Sequence, residues 1–382
     1  MNTELLVTQG NQHRENGDYA AALQCYSQAF VLDPDSAAAF NNYGNVMREI
    51  GHPERSIPFL EHAQILDPGS VTARFNLAVS RLLMGDLERG WPAYEARWHY
   101  EHLAGTEPQF DRPRWQGQDI RDRTVLVVGE QGHGDNIQFV RFLYNLHVMG
   151  AKLRLQVTDG LIPLLAPSPI IEQVGRYTDD MGEFDYWVPI MSIPGILGVT
   201  LENLARPTCY LNADRALERE WLERLGAKTR MRIGISWSGR RDAWLNRHKG
   251  IPFDVILAFV RRHPQYQWIN LQIDATDEES AALGAAGVTL YPGTIRGFQD
   301  TAALMAHCDI VLTVDTAVAH LGAALGRPTW IMLQRFGVCW RWLLNRDDSP
   351  WYATARLFRQ PDFGRWDLVL ARVSEFLSWY KV

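Results

Sequence analysis

Between residues 3 and 98 the apolar positions follow a helical rhythm, and the rhythm itself returns every 34 residues. Gly17, Gly51 and Gly85 mark one phase of this period, and Asp33-Pro34 and Asp67-Pro68 mark another. The apolar series Tyr26, Leu60, Tyr94 and Leu23, Ile57, Trp91 keep the same step, as does the small series Ala22, Ser56, Gly90. Each unit reads as helix, tight Gly turn, helix and an Asp-Pro break, because proline cannot continue a helix and displaces its predecessor from the helical region. About three units fit between residues 1 and 104. Small residues where helices cross let the backbones approach, and stacked pairs bury a continuous core while leaving a concave face. That face serves either as a docking groove for a protein or peptide or as a brace for the adjoining domain, and the pattern weighs the two equally.

After a linker rich in aromatics and proline, YEARWHYEHLAGTEPQFDRPRWQG, the period changes. TVLVVGE (124–130) reads as a buried strand, followed by a Gly-rich turn and the helical stretch DNIQFVRFLYNLHVMG. KLRLQV and DYWVPI continue the alternation. A second series starts at MRIGISW (231–237) and runs through QWINLQI, VTLYP, DIVLTV and PTWIML, with the polar helix RALEREWLERLGAKTR between the two series. Strands alternating with helices predict parallel sheets covered on both faces. The expected architecture is an α-helical solenoid over 1–104, a doubly wound α/β domain over 105–214, a second over 215–358 and a C-terminal helix over 359–382. Two such domains imply a cleft, with ligands beyond the carboxyl ends of the strands.

Composition narrows the class without naming a chemistry. The 382 residues are 46% hydrophobic and 21% charged, as in globular domains. A net charge of −6 gives no general footprint for nucleic acid, and no apolar run is long enough to span a bilayer. The N-terminus, MNTELLVTQGNQHRENG, lacks the pattern of a secretory signal. Cys25, Cys209, Cys308 and Cys339 are far apart and without metal spacing, so reduced thiols in a cytoplasmic protein are expected.

Three loops carry candidate chemistry. In Gln131-Gly132-His133-Gly134-Asp135-Asn136 the glycines allow close approach to a ligand, and Asp135 stands either as a helix cap or as a general base. Trp237-Ser238-Gly239-Arg240-Arg241, with Arg247-His248-Lys249 close behind, concentrates cations against one acid, Asp242. Such a run is either a solvated surface or a diphosphate site. In VDTAVAHLGAALGRPTW (314–330), Thr316 and the amides from Ala317 onward open a helix N-terminus, which favours anions, and His320 lies on the face of Thr316. Asp315, being negative, is expected to cap that helix, orient a basic neighbour or bond a sugar hydroxyl.

The 34-residue unit resembles the tetratricopeptide repeat. Val314–Leu321 with Gly326-Arg327-Pro328 looks like the nucleotide-sugar motif of bacterial heptosyltransferase-type glycosyltransferases, which have the two-domain GT-B fold. Gly132-His133-Gly134-Asp135 resembles their catalytic-aspartate loop, and Ile235–Gly239 with Arg247-His248-Lys249 their donor-phosphate loop. Leu271-Gln272 and Gln299–Leu304 fall where that family has donor-side loops. The resemblance covers roughly residues 120–380 and implies acceptor binding by the first α/β domain and donor binding by the second. It departs at Gln334–Trp342, bulky and aromatic where the family has a small Gly-rich loop, so ADP-heptose is not carried over. Trp340 or Trp342 either stacks on a base or sugar or packs between domains.

The resemblance implies transfer of a sugar from a nucleoside diphosphate to a protein or glycan hydroxyl, with inversion and without a metal or other cofactor. Asp135 is then the catalytic base, with Gln131, Gly132 and Gly134 in its loop. Trp237, Ser238, Gly239, Arg240, Lys249, Gln272, Asp315, Thr316, Ala317 and His320 are the donor-side set. A glycan or protein acceptor docked on the repeats is the partner implied. Two other classes stay open: a non-catalytic repeat scaffold with a ligand-sensing module, and a nucleotide-sugar epimerase or hydrolase.

Overall fold

The computed structural model describes residues 2–100, 103–239 and 249–380. Six helices form the repeats: α1 (Thr3–Glu15), α2 (Tyr19–Leu32), α3 (Ala37–Glu49), α4 (Pro53–Leu66), α5 (Val71–Leu83) and α6 (Leu87–Tyr94). The helix ends follow from the residues there. Asn2, Asp18, Ser70 and Asp86 cap four of the helices through their side chains. Gly17, Gly51 and Gly85 take φ of 79°, 89° and 82°, the left-handed conformation that each intra-pair turn requires. Within a pair, a small residue of the first helix faces a large one of the second. A Cβ added to Gly44 would lie 2.8 Å from Leu60 Cγ and 3.1 Å from the Ser56 carbonyl oxygen. Gly44→Ala gains about 1 kcal/mol of helix propensity but overpacks this crossing by about 1–3 kcal/mol. A net loss of stability is expected in urea denaturation.

The repeats do not form a unit by themselves. The chain up to Gln109 is joined by Pro194–Leu204 and Arg335–Arg346 into one compact unit, although the sequence pattern places those stretches in the α/β domains. Aromatic burial accounts for the difference. The Trp91 indole N–H donates to the Val199 carbonyl at 3.0 Å, and the Trp91 and Trp340 rings meet edge-on at 5.4 Å. Phe336 packs edge-on against Tyr19 at 5.7 Å, and the Gly337 amide donates to the Glu49 carbonyl at 2.8 Å. Trp340 and Trp342 are 4% and 0% exposed, so neither offers a face to a base or sugar. The aromatic stretch that departs from the heptosyltransferase pattern is therefore built to pack with the repeats.

The second compact unit, Phe110–Ile193, Ala205–Gln334 and the chain from Asp347 onward, holds both sheets. The first comprises β1 (Thr124–Val128), β2 (Lys152–Gln156), β3 (Gln173–Gly175) and β4 (Tyr186–Pro189), in the order β3-β2-β1-β4. The other comprises β5 (Arg232–Ile235), β6 (Gln267–Asn270), β7 (Ile310–Val314), β8 (Thr329–Leu333) and β9 (Ala355–Arg359), in the order β6-β5-β7-β8-β9. Every strand pair is parallel, for example Val127↔Leu155 and Leu312↔Trp330. The expected solenoid followed by two doubly wound sheets is what forms. VTLYP is the exception: it contributes one bridge, Ile269↔Thr289, because Pro292 has no N–H to extend a ladder. The short β3 and the terminal β9 carried too few apolar residues to stand out. The C-terminal helix, Trp366–Trp379, buries Trp366, Val369, Leu370, Val373 and Leu377 in the core of the second sheet.

Both orders place a topological switch at one spot per sheet: between β1 and β4, and between β5 and β7. Crossovers leave these points in opposite directions, which opens a crevice at the carboxyl ends. The segments there are 129–132 and 190–192 in one sheet, and 236–239, 249–252 and 315–316 in the other.

The four cysteines are free, and Cys308 is buried, which pushes its thiol up to about 12. A thiol reagent at neutral pH is expected to modify exposed Cys209 in the native protein and Cys308 only after unfolding. Among the described residues no helix is long and apolar enough to cross a membrane.

Candidate active site

The loop after β1 is held from beneath by one asparagine. Asn136, 0% exposed, accepts from the Glu130 amide at 3.1 Å and donates to the carbonyls of Glu130 and Gly132 at 3.0 and 2.9 Å. A Cβ on Gly129 would collide with the Asn136 carboxamide and lie 2.9 Å from the Gln156 carbonyl, so only glycine fits. Gln131 takes a φ of 59°, a strained conformation for a residue with a side chain. The chain then enters α7 (His133–Phe139), whose N-cap is Gly132. The Asp135 carboxylate, half-buried, accepts from the Gly132 amide at 2.8 Å. Capping fixes the carboxylate at the mouth of the crevice.

Across the crevice, β7 ends in Asp315 and Thr316, and the Ala317–Ala324 helix begins. Thr316, not Asp315, occupies the N-cap position, with φ −142°, and its own side chain makes no capping hydrogen bond. Asp315 is 6% exposed and pairs with Lys249, whose Nζ lies 2.9 Å from Oδ2. Of the three roles expected for Asp315, orienting a basic neighbour is the one the geometry supplies. The Thr316 hydroxyl lies 3.4 Å from that of Thr313. His320, one turn along, is 5% exposed, and its Nδ1 is 2.7 Å from the Tyr352 hydroxyl.

The two rims meet at Gly134. A Cβ there would lie 2.8 Å from His320 Cδ2 and 3.4 Å from Ala317 Cα, so glycine is required for this approach. The Asp135 loop, the helix start and the Lys249–Asp315 pair thus border one crevice. An aligned helix N-terminus beside a fixed ammonium stabilises an anion, and a carboxylate opposite can accept a proton.

The tetratricopeptide-repeat family matches residues 10–51, and glycosyltransferase family 9 (heptosyltransferase) matches residues 274–332, which include Asp315, Thr316, Ala317 and His320. The chain joins tetratricopeptide repeats to a heptosyltransferase-like module. It is 28% identical to protein FlbA of Caulobacter vibrioides over 394 residues, covering 94% of this chain and 64% of that one. This chain thus spans less than two thirds of that relative's length. A glycosyl transferase family 9 structure from Veillonella parvula aligns with a TM-score of 0.49 at 11% identity, covering 69% of this chain and 91% of that one. The ADP-heptose lipopolysaccharide heptosyltransferase II of E. coli gives a TM-score of 0.49 at 16% identity, covering 67% of this chain and 97% of that one.

Within the heptosyltransferase-like module, two of the remaining donor-side residues, Trp237 and Gln272, use their side chains elsewhere than on the crevice. The ring of Trp237 is 1% exposed and belongs to the core of the second sheet, so only its backbone borders the crevice. Gln272 does not point its amide at the crevice. Its Oε1 accepts from the Ser236 hydroxyl and from the amides of Trp237 and Ser238 at 2.9, 3.1 and 3.0 Å. It shapes the loop after β5. Ser238 Oγ is buried with no hydrogen-bond partner among the described residues, and a Cβ on Gly250 would touch Ser238 Cβ at 3.3 Å, which puts Ser238 beside the turn at Lys249-Gly250. Arg240, with Arg241, Arg247 and His248, lies outside the described residues. Asp300, in the other donor-side segment, accepts from the Trp221 indole at 3.2 Å and the Arg296 amide at 3.0 Å, a structural use.

The sequence pattern did not single out Glu130, Arg141 or Tyr352. Glu130 is 7% exposed and its Oε1 accepts from the Met191 amide at 3.0 Å, tying the segment after β4 to the Asp135 loop. Partial burial pushes the nearby Tyr177 phenol up to about 12, and the Glu130 charge adds to the shift. Glu130 is the one charged residue of the recognised stretch TVLVVGE, which is a usable signal. Tyr352 follows Ser349-Pro350-Trp351 in a stretch without periodicity, and nothing in the sequence marks it.

Proposed function

We propose that this chain transfers a glycosyl group from a nucleoside-diphosphate sugar to an acceptor hydroxyl, with inversion at the anomeric carbon. The observation that carries the reading is the meeting, at Gly134, of the Asp135 loop with the helix start that holds Thr316 and His320. The donor's diphosphate lies against the Thr316 hydroxyl, the amides of the first turn and Lys249. Asp135 takes the acceptor proton as the hydroxyl oxygen attacks the anomeric carbon. As the carbon–oxygen bond to the diphosphate breaks, charge develops on the leaving group where these fixed donors already point, which lowers the barrier. Arg240 is assigned to the same anion from its position in sequence. Protein cations fill the charge-neutralising role, so the reaction is read as metal-independent and without a cofactor.

The acceptor is read as a protein or glycan, with the repeats contributing its docking surface and the Glu130–Met191 loop lining the acceptor side. The protein is placed in the cytoplasm, where nucleotide sugars are available.

A thermal-shift screen with UDP, GDP, ADP, CMP and dTDP tests the donor side. One nucleotide is expected to stabilise the fold by about 2.7 kcal/mol at a hundred times its dissociation constant. A chain stabilised by none of them contradicts the reading. Turnover of a donor without any acceptor would instead favour a hydrolase or epimerase.

A further inference from the structure

We propose that Tyr352 is a positioning residue that fixes His320 as the tautomer with its proton on Nε2. A donor N–H is thereby aimed at the rim that carries Asp135. The inference rests on the reading of His320 as a contact for the donor diphosphate and specifies how that contact is made.

A neutral imidazole carries one proton, so the nitrogen that accepts a hydrogen bond leaves the other to donate. His320 Nδ1 and the Tyr352 hydroxyl are 2.7 Å apart, both groups being buried at 5% and 1% exposure. A phenol is a stronger acid than a neutral imidazole, and an unprotonated imidazole nitrogen is a stronger base than a phenol oxygen. The hydroxyl therefore donates to Nδ1.

Arg141 reinforces this direction. Its guanidinium carbon lies 4.6 Å from the centre of the Tyr352 ring and 4.5 Å from that of Tyr210. The cation is held there by the Gln138 carbonyl at 2.9 Å, the Tyr210 hydroxyl at 3.0 Å and the Trp351 carbonyl. Positive charge over a phenol withdraws electron density and makes its O–H a better donor.

The other edge of the imidazole faces the crevice. A Cβ on Gly134 would lie 2.8 Å from His320 Cδ2, the carbon bonded to Nε2. The Nε2–H therefore serves as a hydrogen-bond donor on the side where the diphosphate is placed. It is not a second base competing with Asp135.

Long-range proton–nitrogen NMR on the full chain with ¹⁵N-labelled histidine tests the proposal, with His320→Gln identifying the signal. The expected result is the Nε2–H pattern for His320 in the wild type and a mixture of tautomers in Tyr352→Phe, with circular dichroism unchanged. An Nδ1–H or imidazolium pattern at neutral pH in the wild type overturns the proposal, as does a pure Nε2–H pattern in Tyr352→Phe. Should Tyr352→Phe not fold, the wild-type pattern alone decides. Inorganic pyrophosphate separates the two readings. If the Nε2–H pattern is present and pyrophosphate leaves the signal unmoved, the diphosphate assignment fails while the positioning role of Tyr352 stands.

Discussion

Asp135→Asn is expected to lower kcat for sugar transfer by about 10²–10⁴-fold, the usual contribution of general-base help. The substitution is chosen because it separates the capping bond of Asp135 from its proposed role as base. Its carboxylate caps α7 by accepting from the Gly132 amide at 2.8 Å, and an asparagine oxygen can accept the same bond. The loop and the fold should therefore persist while the base is lost. Nucleotide binding, measured by titration, should stay within a few-fold of wild type because the proposed diphosphate contacts lie on the opposite rim. An Asp135→Asn protein with wild-type turnover would remove Asp135 from the mechanism. A variant that loses nucleotide binding as well would show that its main role is to hold the crevice together.

The second large effect concerns Lys249. Its ammonium neutralises Asp315, which is 6% exposed, and its own side chain is 19% exposed. Lys249→Met leaves a carboxylate buried without its partner, and breaking such pairs costs about 3–5 kcal/mol. Solvent reaching the lysine places the expected loss near the lower end, as a reduced urea midpoint with unchanged slope. Stability alone does not separate a structural lysine from a ligand contact. Lys249→Met combined with Asp315→Asn removes both charges and is expected to recover most of the stability. Donor affinity should stay low in the double variant if Lys249 is the proposed cation for the diphosphate. Recovery of affinity together with stability would mean that Lys249 serves Asp315 alone.

Much of the architecture was legible because it rests on periodicity. The 34-residue spacing of Gly17, Gly51 and Gly85 reappears as three left-handed turns, and the apolar runs before Glu130, Ser236 and Asp315 become β1, β5 and β7. Strand order is set by the crossovers, and the order found puts the recognised loops at both switch points. What the pattern did not disclose depends on long-range packing. Trp237 belongs to a motif-like stretch, yet whether its ring faces core or crevice is decided by Phe253, 5.7 Å away. Gln272 was recognisable as a loop residue, but its carboxamide oxygen is saturated by three donors from the loop after β5. The stretch Arg335–Arg346 follows β8 directly in sequence and still belongs with the repeats, because Trp340 finds Trp91 and Tyr94 there. The roles of Arg141, Tyr210 and Tyr352 arise from three distant segments that carry no common spacing.

The direct test is a crystal structure of the chain bound to the nucleoside diphosphate that the thermal screen selects. The expected map shows the diphosphate at the start of the Ala317–Ala324 helix. Its oxygens would lie within hydrogen-bond distance of the Thr316 hydroxyl, the Ala317 amide, Lys249 Nζ and His320 Nε2, with Asp135 across the crevice. A diphosphate bound elsewhere, with those four groups untouched, would contradict the proposed site and the mechanism built on it.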